Sequence, residues 1–371
     1  MILSKKIRLK PTKQQEKILY QSCGTARFIY NWTLGRQKEN YESGGKFISD
    51  NDLRKEVTQL KKTELSWLSE VSNNVAKQAV KDACIAYKNF FTKKASFPKF
   101  KSRKKSKPSF YNDTNKLKVK ENLVLIEKVG WIKTAEQLPM NTKYTNPRIS
   151  FDGKYWYISV GTERKNNDLE LSEVSLGIDL GVKDLATCST GEVYENINKK
   201  KTIKKLKKKL KRLQKQVSRK YENSREVNNR YEKSQNIMKL EKKIRLIHRR
   251  ISNIRNNNLH QITNEIVKTK PSKIVMEDLN IKGMMKNRHL SKAIAEQNFY
   301  KFITYMKYKA EFNGIEFIQV PRFYPSSKTC SKCGTIKKNL KLSDRVFKCE
   351  CGYILDRDLN ASINLSNYRV S

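Results

Sequence analysis

The spacing of apolar residues changes several times along the chain, and each change marks an element. Ile7 and Leu9 alternate with Lys6, Arg8 and Lys10, which predicts a strand over residues 2–10. Pro11-Thr12 then opens a helix whose apolar residues Leu19, Cys23, Ala26, Tyr30 and Leu34 return at helical spacing, until Gly44-Gly45 breaks it. Residues 53–60 and 74–93 keep that spacing, the second stretch with Val75, Ala79, Ala83, Ala86 and Phe90 on one face. From Lys116 the pattern turns to strands. Leu117, Val119, Val124 and Ile126 lie on either side of a turn at Glu121-Asn122, and residues 149–160 read as a hairpin with Asp152-Gly153 at its tip. The first strand is expected to join this β-rich part, leaving the helices as an insertion.

A polar stretch over residues 164–173 marks a boundary. Beyond it, residues 174–182 form an apolar strand interrupted by one acid, Asp179, between Gly177 and Gly181. Residues 186–192 read as the next strand of a meander. Ile203, Leu206, Leu210, Leu213 and Val217 then step by three and four, as do Ile237, Leu240, Ile244, Ile247, Ile251 and Ile254. These seams predict two antiparallel helices packed on each other. Residues 274–279 are a short buried strand ending in Glu277 and Asp278. A basic loop, one helix from about 293 to 313 and a strand over 315–320 follow, and residues 356–367 are again helical.

Charge narrows the partner. Lys and Arg number 79 against 36 Asp and Glu, a formal +43 over 371 residues. Such an excess repels itself unless a polyanion is near, and nucleic acid, rather than a membrane surface, is the expected one. No apolar run reaches about 18 residues, so no membrane-spanning helix is expected. Three histidines, His248, His260 and His289, leave little room for His-based catalysis. The segment 97–107 interleaves Phe97 and Phe100 with Lys99, Lys101 and Arg103, a mixture suited to stacking and phosphate contact. The Lys-rich face at 204–212, including Lys208 and Arg212, is a second candidate for nucleic acid.

Four of the seven cysteines come as two close pairs, Cys330-x2-Cys333 and Cys349-x-Cys351, with fifteen residues between them. Two facing Cys turns supply the four thiolates of a tetrahedral zinc site, and Gly334 and Gly352 follow where such turns favour positive φ. The chain opens with no signal-peptide pattern, so two disulfides are the weaker reading. Four saturated ligands make the zinc structural. Cys23, Cys84 and Cys188 are scattered and read as core thiols. Carboxylates give the second constellation: Asp179, Glu277, and Asp358 or Asp356 sit at element ends in distant segments. The element order is that of a ribonuclease-H-like α/β layer, in which such acids converge and can hold two Mg²⁺ ions. An acid inside an apolar strand, as at Asp179, is costly unless it binds something.

These residues carry a specific resemblance. Gly177-Ile-Asp-Leu-Gly181, Val275-Met-Glu-Asp-Leu279 and Asp356-Arg-Asp-Leu-Asn-Ala361 resemble the three RuvC motifs of the TnpB family of transposon-encoded RNA-guided nucleases, relatives of single-protein type V CRISPR effectors. Residues 327–334 and 349–352 resemble its zinc ribbon, the Cys349-x-Cys351 spacing being a departure. Pro11-Thr12, residues 27–31 and residues 97–101 fit its N-terminal half. The resemblance implies Asp179, Glu277 and Asp358 as catalytic magnesium ligands and Cys330, Cys333, Cys349 and Cys351 as zinc ligands. It implies a guide RNA, double-stranded target DNA read beside a short motif, and cleavage by one RuvC site. Asn73, Lys77 and Gln78 are the candidates for base-edge contacts. The expected architecture is an α/β RNase H-like (RuvC) domain, residues 171–325 and 353–371, with an inserted zinc ribbon, 326–352. A β-barrel-like module, 1–10 and 109–170, carries the helical insertion, 11–108. A monomer in the prokaryotic cytoplasm is expected. The rival readings are a nuclease-inactive RNA-guided repressor, a transposase and a zinc-ribbon RNA-binding protein.

Overall fold

The computed structural model describes residues 1–140, 142–167, 169–228, 233–337, 339–340 and 344–369. The expected modules also include positions 141, 168, 229–232, 338, 341–343 and 370–371, which lie outside the described residues. Two compact units divide the chain, Met1–Arg164 and Lys165–Ser371.

The first unit begins with β1 (Ile2–Lys10), α1 (Lys13–Glu42), α2 (Asp50–Leu60) and α3 (Asn73–Phe91). It continues with β2 (Ser109–Tyr111), β3 (Lys118–Lys120), β4 (Leu123–Ile126), β5 (Gly130–Thr134), β6 (Tyr144–Phe151) and β7 (Trp156–Glu163). The strands form one antiparallel sheet in the order β2-β6-β7-β1-β5-β4-β3. β1 lies inside it, with Ile7 opposite Ile158 and Leu9 opposite Trp156. Those apolar residues face a core completed by Leu19 and Cys23 of α1 and Val75 of α3. Thr12 and Gln15 close a capping box, and α1 then runs unbroken to Glu42. The segment after α3 is strapped to α1: Asn31 donates to Lys101 O at 2.8 Å and accepts from Lys101 N at 2.7 Å.

The second unit opens with β8 (Ser175–Leu180), β9 (Asp184–Cys188), β10 (Val193–Glu195), α4 (Lys201–Asn228) and α5 (Gln235–Lys268). Next come β11 (Lys273–Glu277), α6 (Ile281–Met284), α7 (Ser291–Gln297), α8 (Phe299–Phe312) and β12 (Glu316–Val320). A small hairpin, β13 (Val346–Lys348) and β14 (Ile354–Asp356), leads into α9 (Arg357–Ser366). The five-stranded sheet has the order β10-β9-β8-β11-β12. β8, β9 and β10 pair antiparallel, while β8, β11 and β12 run parallel. Alternation splits the side chains of β8 and β11 between two faces. Leu176, Ile178, Ile274 and Met276 pack with Leu259, Ile262 and Ile266 of α5 and with Phe299, Phe302 and Met306 of α8. Val275 and Val320 pack on the other face against Leu365 of α9.

The expected helix over 293–313 is two. Asn298 adopts φ +57°, a left-handed turn that asparagine tolerates, and separates α7 from α8. The seams on α4 and α5 do meet, with Leu206, Leu210 and Leu213 against Leu240, Ile244, Ile247 and Ile251.

Candidate active site and cysteine knot

The site begins with register. Ile178 of β8 pairs with Met276 of β11 in parallel, so Asp179 and Glu277 each stand one residue further along, side by side on neighbouring strands. Both alternate with the α5-facing residues and therefore face α9. Gly177 sets how close α9 comes: a Cβ there would overlap the Ser362 carbonyl oxygen and lie 2.5 Å from Ser366 N. Ser175 Oγ also donates to Ser366 O at 2.6 Å, which fixes the end of the helix.

The first turn of α9 brings the third acid. Asp356 is the N-cap, its carboxylate accepting from the Asp358 and Leu359 N–H groups at 2.9 and 3.1 Å. Of the two acids left open on the residues alone, Asp356 is thus occupied at the helix start. Asp358 is half-buried, 4.0 Å from the Arg357 guanidinium. Burial, then the charges of Glu277 and Asp358, push the Asp179 carboxyl up to about 8, with Arg357 pulling the other way. Three acids close enough to suppress one ionisation, with one nearby cation to offset them, fit a divalent cation. Hard carboxylate oxygens are the donor set that Mg²⁺ takes. Among the described residues, the cysteine quartet is the metal-type cluster whose ligand atoms all close within 4.8 Å.

Several residues around the acids carry no periodic signal. Glu277 accepts a hydrogen bond from Ser326 Oγ. Gln297, buried at the α7–α8 break, donates to Gly181 O at 3.0 Å and Val182 O at 3.2 Å, fixing the loop after Asp179. Asp278 is drawn off into a surface pair with Arg322 at 2.7 Å.

The four cysteines converge. Cys330 and Cys351 Sγ are 3.8 Å apart, and Cys333 and Cys349 Sγ 3.6 Å. A tetrahedron with zinc–sulfur bonds of about 2.3 Å has edges of about 3.8 Å, so the quartet fits zinc. Gly334 and Gly352 take φ +77° and +80°, and their N–H groups return to Cys330 O and Cys349 O. The Thr335 hydroxyl, 3.3 Å from Cys333 Sγ, is the main cause that brings that thiol down to about 6. A single residue between Cys349 and Cys351 therefore still presents both sulfurs to the same point.

The candidate nucleic-acid residues lie on several elements of the two units. Asn73 and Lys77 are exposed one turn apart on α3, lining a cleft of about 250 Å³ with Arg54, Lys61 and Lys62. Gln78 points elsewhere, donating to Asp82 at 2.8 Å, and Asp82 holds Arg148 in a two-pronged pair at 2.6 and 2.9 Å. Lys99 and Arg103 are exposed. The Lys101 ammonium sits 3.4 Å from the centre of the Tyr30 ring, a contact that competes with a phosphate. Lys208 and Arg212 project from the exposed side of α4, while Lys207 on its inner side pairs with Glu296 at 2.5 Å.

Comparison with known proteins places this arrangement. The family described as "Probable transposase" matches residues 157–288, and the Cas12f1-like TNB domain matches residues 299–365. A third match, described as a helix-turn-helix domain, covers residues 1–46, where the fold has one strand and one unbroken helix. The protein named "Putative RNA-guided DNA endonuclease InsQ" of Escherichia coli K12 is 33% identical over 97% of this chain and 90% of its own length. A Streptomyces pristinaespiralis protein named "Putative RNA-guided DNA endonuclease" is 30% identical over 97% of this chain and 87% of its own. In fold, the chain resembles Cas12f1 as seen in its complex with guide RNA and target DNA. The TM-score is 0.57 and the identity 16%, over 95% of this chain and 82% of that one. The chain belongs to the TnpB/IS605 transposase family.

Proposed function

We propose that this protein is an RNA-guided DNA endonuclease that hydrolyses phosphodiester bonds at Asp179, Glu277 and Asp358 on a ribonuclease-H-like layer. The names of its relatives support the reaction class. The observation that carries the site is the shared height of Asp179 and Glu277 on parallel strands, beneath the first turn of α9. Asp179, Glu277 and Asp358 would hold two Mg²⁺ ions, which supply water activation and neutralisation of the leaving oxygen. The chain does the rest. Gly177 admits α9, Asp356 caps it, and Gln297 holds the loop that follows Asp179. Cys330, Cys333, Cys349 and Cys351 would hold one zinc as a structural knot, which keeps β13 and β14 feeding into α9. The sheet of the first unit is read as the barrel-like module, and its helices as the part that meets the target-adjacent DNA. Guide RNA and double-stranded DNA are the partners, and the exposed cations of α4 and of residues 99–103 contact their phosphates.

Asp179→Ala, Glu277→Ala and Asp358→Ala should each abolish Mg²⁺-dependent cleavage while RNA-guided DNA binding survives, and their effects should not add. Asp356→Ala, which removes a cap worth about 1 kcal/mol, should cut more slowly but measurably. Cleavage and gel-shift assays on the same preparations check this. Normal cleavage by all four variants overturns the site.

A further inference from the structure

A carboxylate that presents one oxygen to a cation is more effective when its other oxygen is fixed. Glu277 has such a fix, since its Oε1 accepts from Ser326 Oγ. Ser326 is 2% exposed, so little water reaches that bond. Its backbone is held on both sides: the N–H donates to Tyr324 O at 2.9 Å, and the carbonyl accepts from Asn364 Nδ2 at 2.7 Å. Asn364 also donates to Thr329 O at 2.7 Å. Asn360, fully buried one turn earlier, donates to the same carbonyl at 2.7 Å and accepts from Ser331 N at 3.0 Å. Two carboxamides of α9 therefore bolt down the strand of chain that enters the cysteine knot at Cys330. The helix that carries Asp358 thus also holds the serine that holds Glu277.

We propose that Ser326 is a positioning residue for cleavage. It pins Oε1 of Glu277, so that Oε2 would be the oxygen left to hold a cation. The inference rests on the reading of Glu277 as a metal-holding acid.

The test uses the full-length, zinc-loaded protein with its copurified RNA. Mn²⁺ is titrated by paramagnetic resonance, and the Glu277→Ala protein supplies the background from ions bound to RNA. Ser326→Ala should keep its zinc and its DNA binding. Its Mn²⁺ affinity at the subtracted site should fall about tenfold, and the Mg²⁺ concentration that half-saturates cleavage should rise by about as much. Ser326→Thr, which keeps the hydroxyl, should restore both. Unchanged Mn²⁺ affinity and Mg²⁺ dependence in Ser326→Ala overturn the proposal, as does a loss shared equally by Ser326→Thr and accompanied by loss of zinc. A Glu277→Ala protein that binds Mn²⁺ like the wild type sinks the reading of Glu277, and the role of Ser326 with it.

Discussion

Burial, then the charges of Glu277 and Asp358, pushes the Asp179 carboxyl up to about 8, whereas an unfolded aspartate ionises near pH 4. The raised value means that the unfolded chain releases this proton first as pH rises. The residue therefore costs the metal-free protein nothing below about pH 4, and progressively more from there to about pH 8. Asp179→Asn should match the wild type in thermal stability at pH 4. By pH 8 it should melt higher by about 5 °C, in zinc-loaded protein dialysed free of magnesium. Added Mg²⁺ should stabilise the wild type and leave the variant unmoved. Equal melting of the two proteins at pH 8 contradicts the burial of the Asp179 carboxyl beside Glu277 and Asp358. Asp179 was legible because an acid between Ile178 and Leu180 stands out in an apolar strand. Ser326, Gln297 and Asn364 were not: polar residues in loops and on a helix look solvated until the fold shows what they touch.

At the scale of elements, the contact between β8 and α9 depends on one missing methyl group. Gly177→Ala forces the Ser362 backbone away from the strand. Overpacking of this kind should cost about 1–3 kcal/mol, and because the shift moves Asp358, cleavage should fall further than stability. Denaturant melts alongside cleavage rates check it; a variant that loses neither would show that α9 can move without cost. The α4–α5 pair gives a second case. Its buried seam was readable from the three-four steps of Leu206, Leu210 and Leu213, and the outward lysines followed from the same period. Lys208→Glu with Arg212→Glu should leave the fold intact. RNA affinity should fall, and the salt dependence of binding should shallow by about one unit for each phosphate no longer neutralised. The break at Asn298 escaped the pattern because apolar spacing continues through it, and a left-handed asparagine leaves no trace in periodicity.

Across the second unit, the cysteine knot and Asp358 both depend on α9. β14 ends at Asp356, the Arg357 N–H donates to Arg345 O at 2.9 Å, and α9 starts there. Cys330→Ser should lose stoichiometric zinc and, with it, the ordered start of α9, so cleavage should fall to background while RNA remains bound. Zinc analysis, far-ultraviolet dichroism and a cleavage assay on one preparation check this. A zinc-free yet fully active variant separates the knot from the reaction. The cysteine spacing made a metal the expectation from the sequence, and the four sulfurs do converge; the net charge made a polyanion the expected partner.

The acids also come in a fixed temporal order. Asp179 and Glu277 lie upstream of α9, and Asp358 arrives with that helix. During synthesis, at roughly 5–20 residues per second, the basic helices α4 and α5 emerge before the last acid exists. A chain that stops before α9 therefore carries the basic helices that the proposed function assigns to nucleic acid, but lacks Asp358 and the Leu365 that covers Val275 and Val320. On the proposed reading, a chain without α9 would hold its polyanion but leave it uncut, because Asp358 is missing.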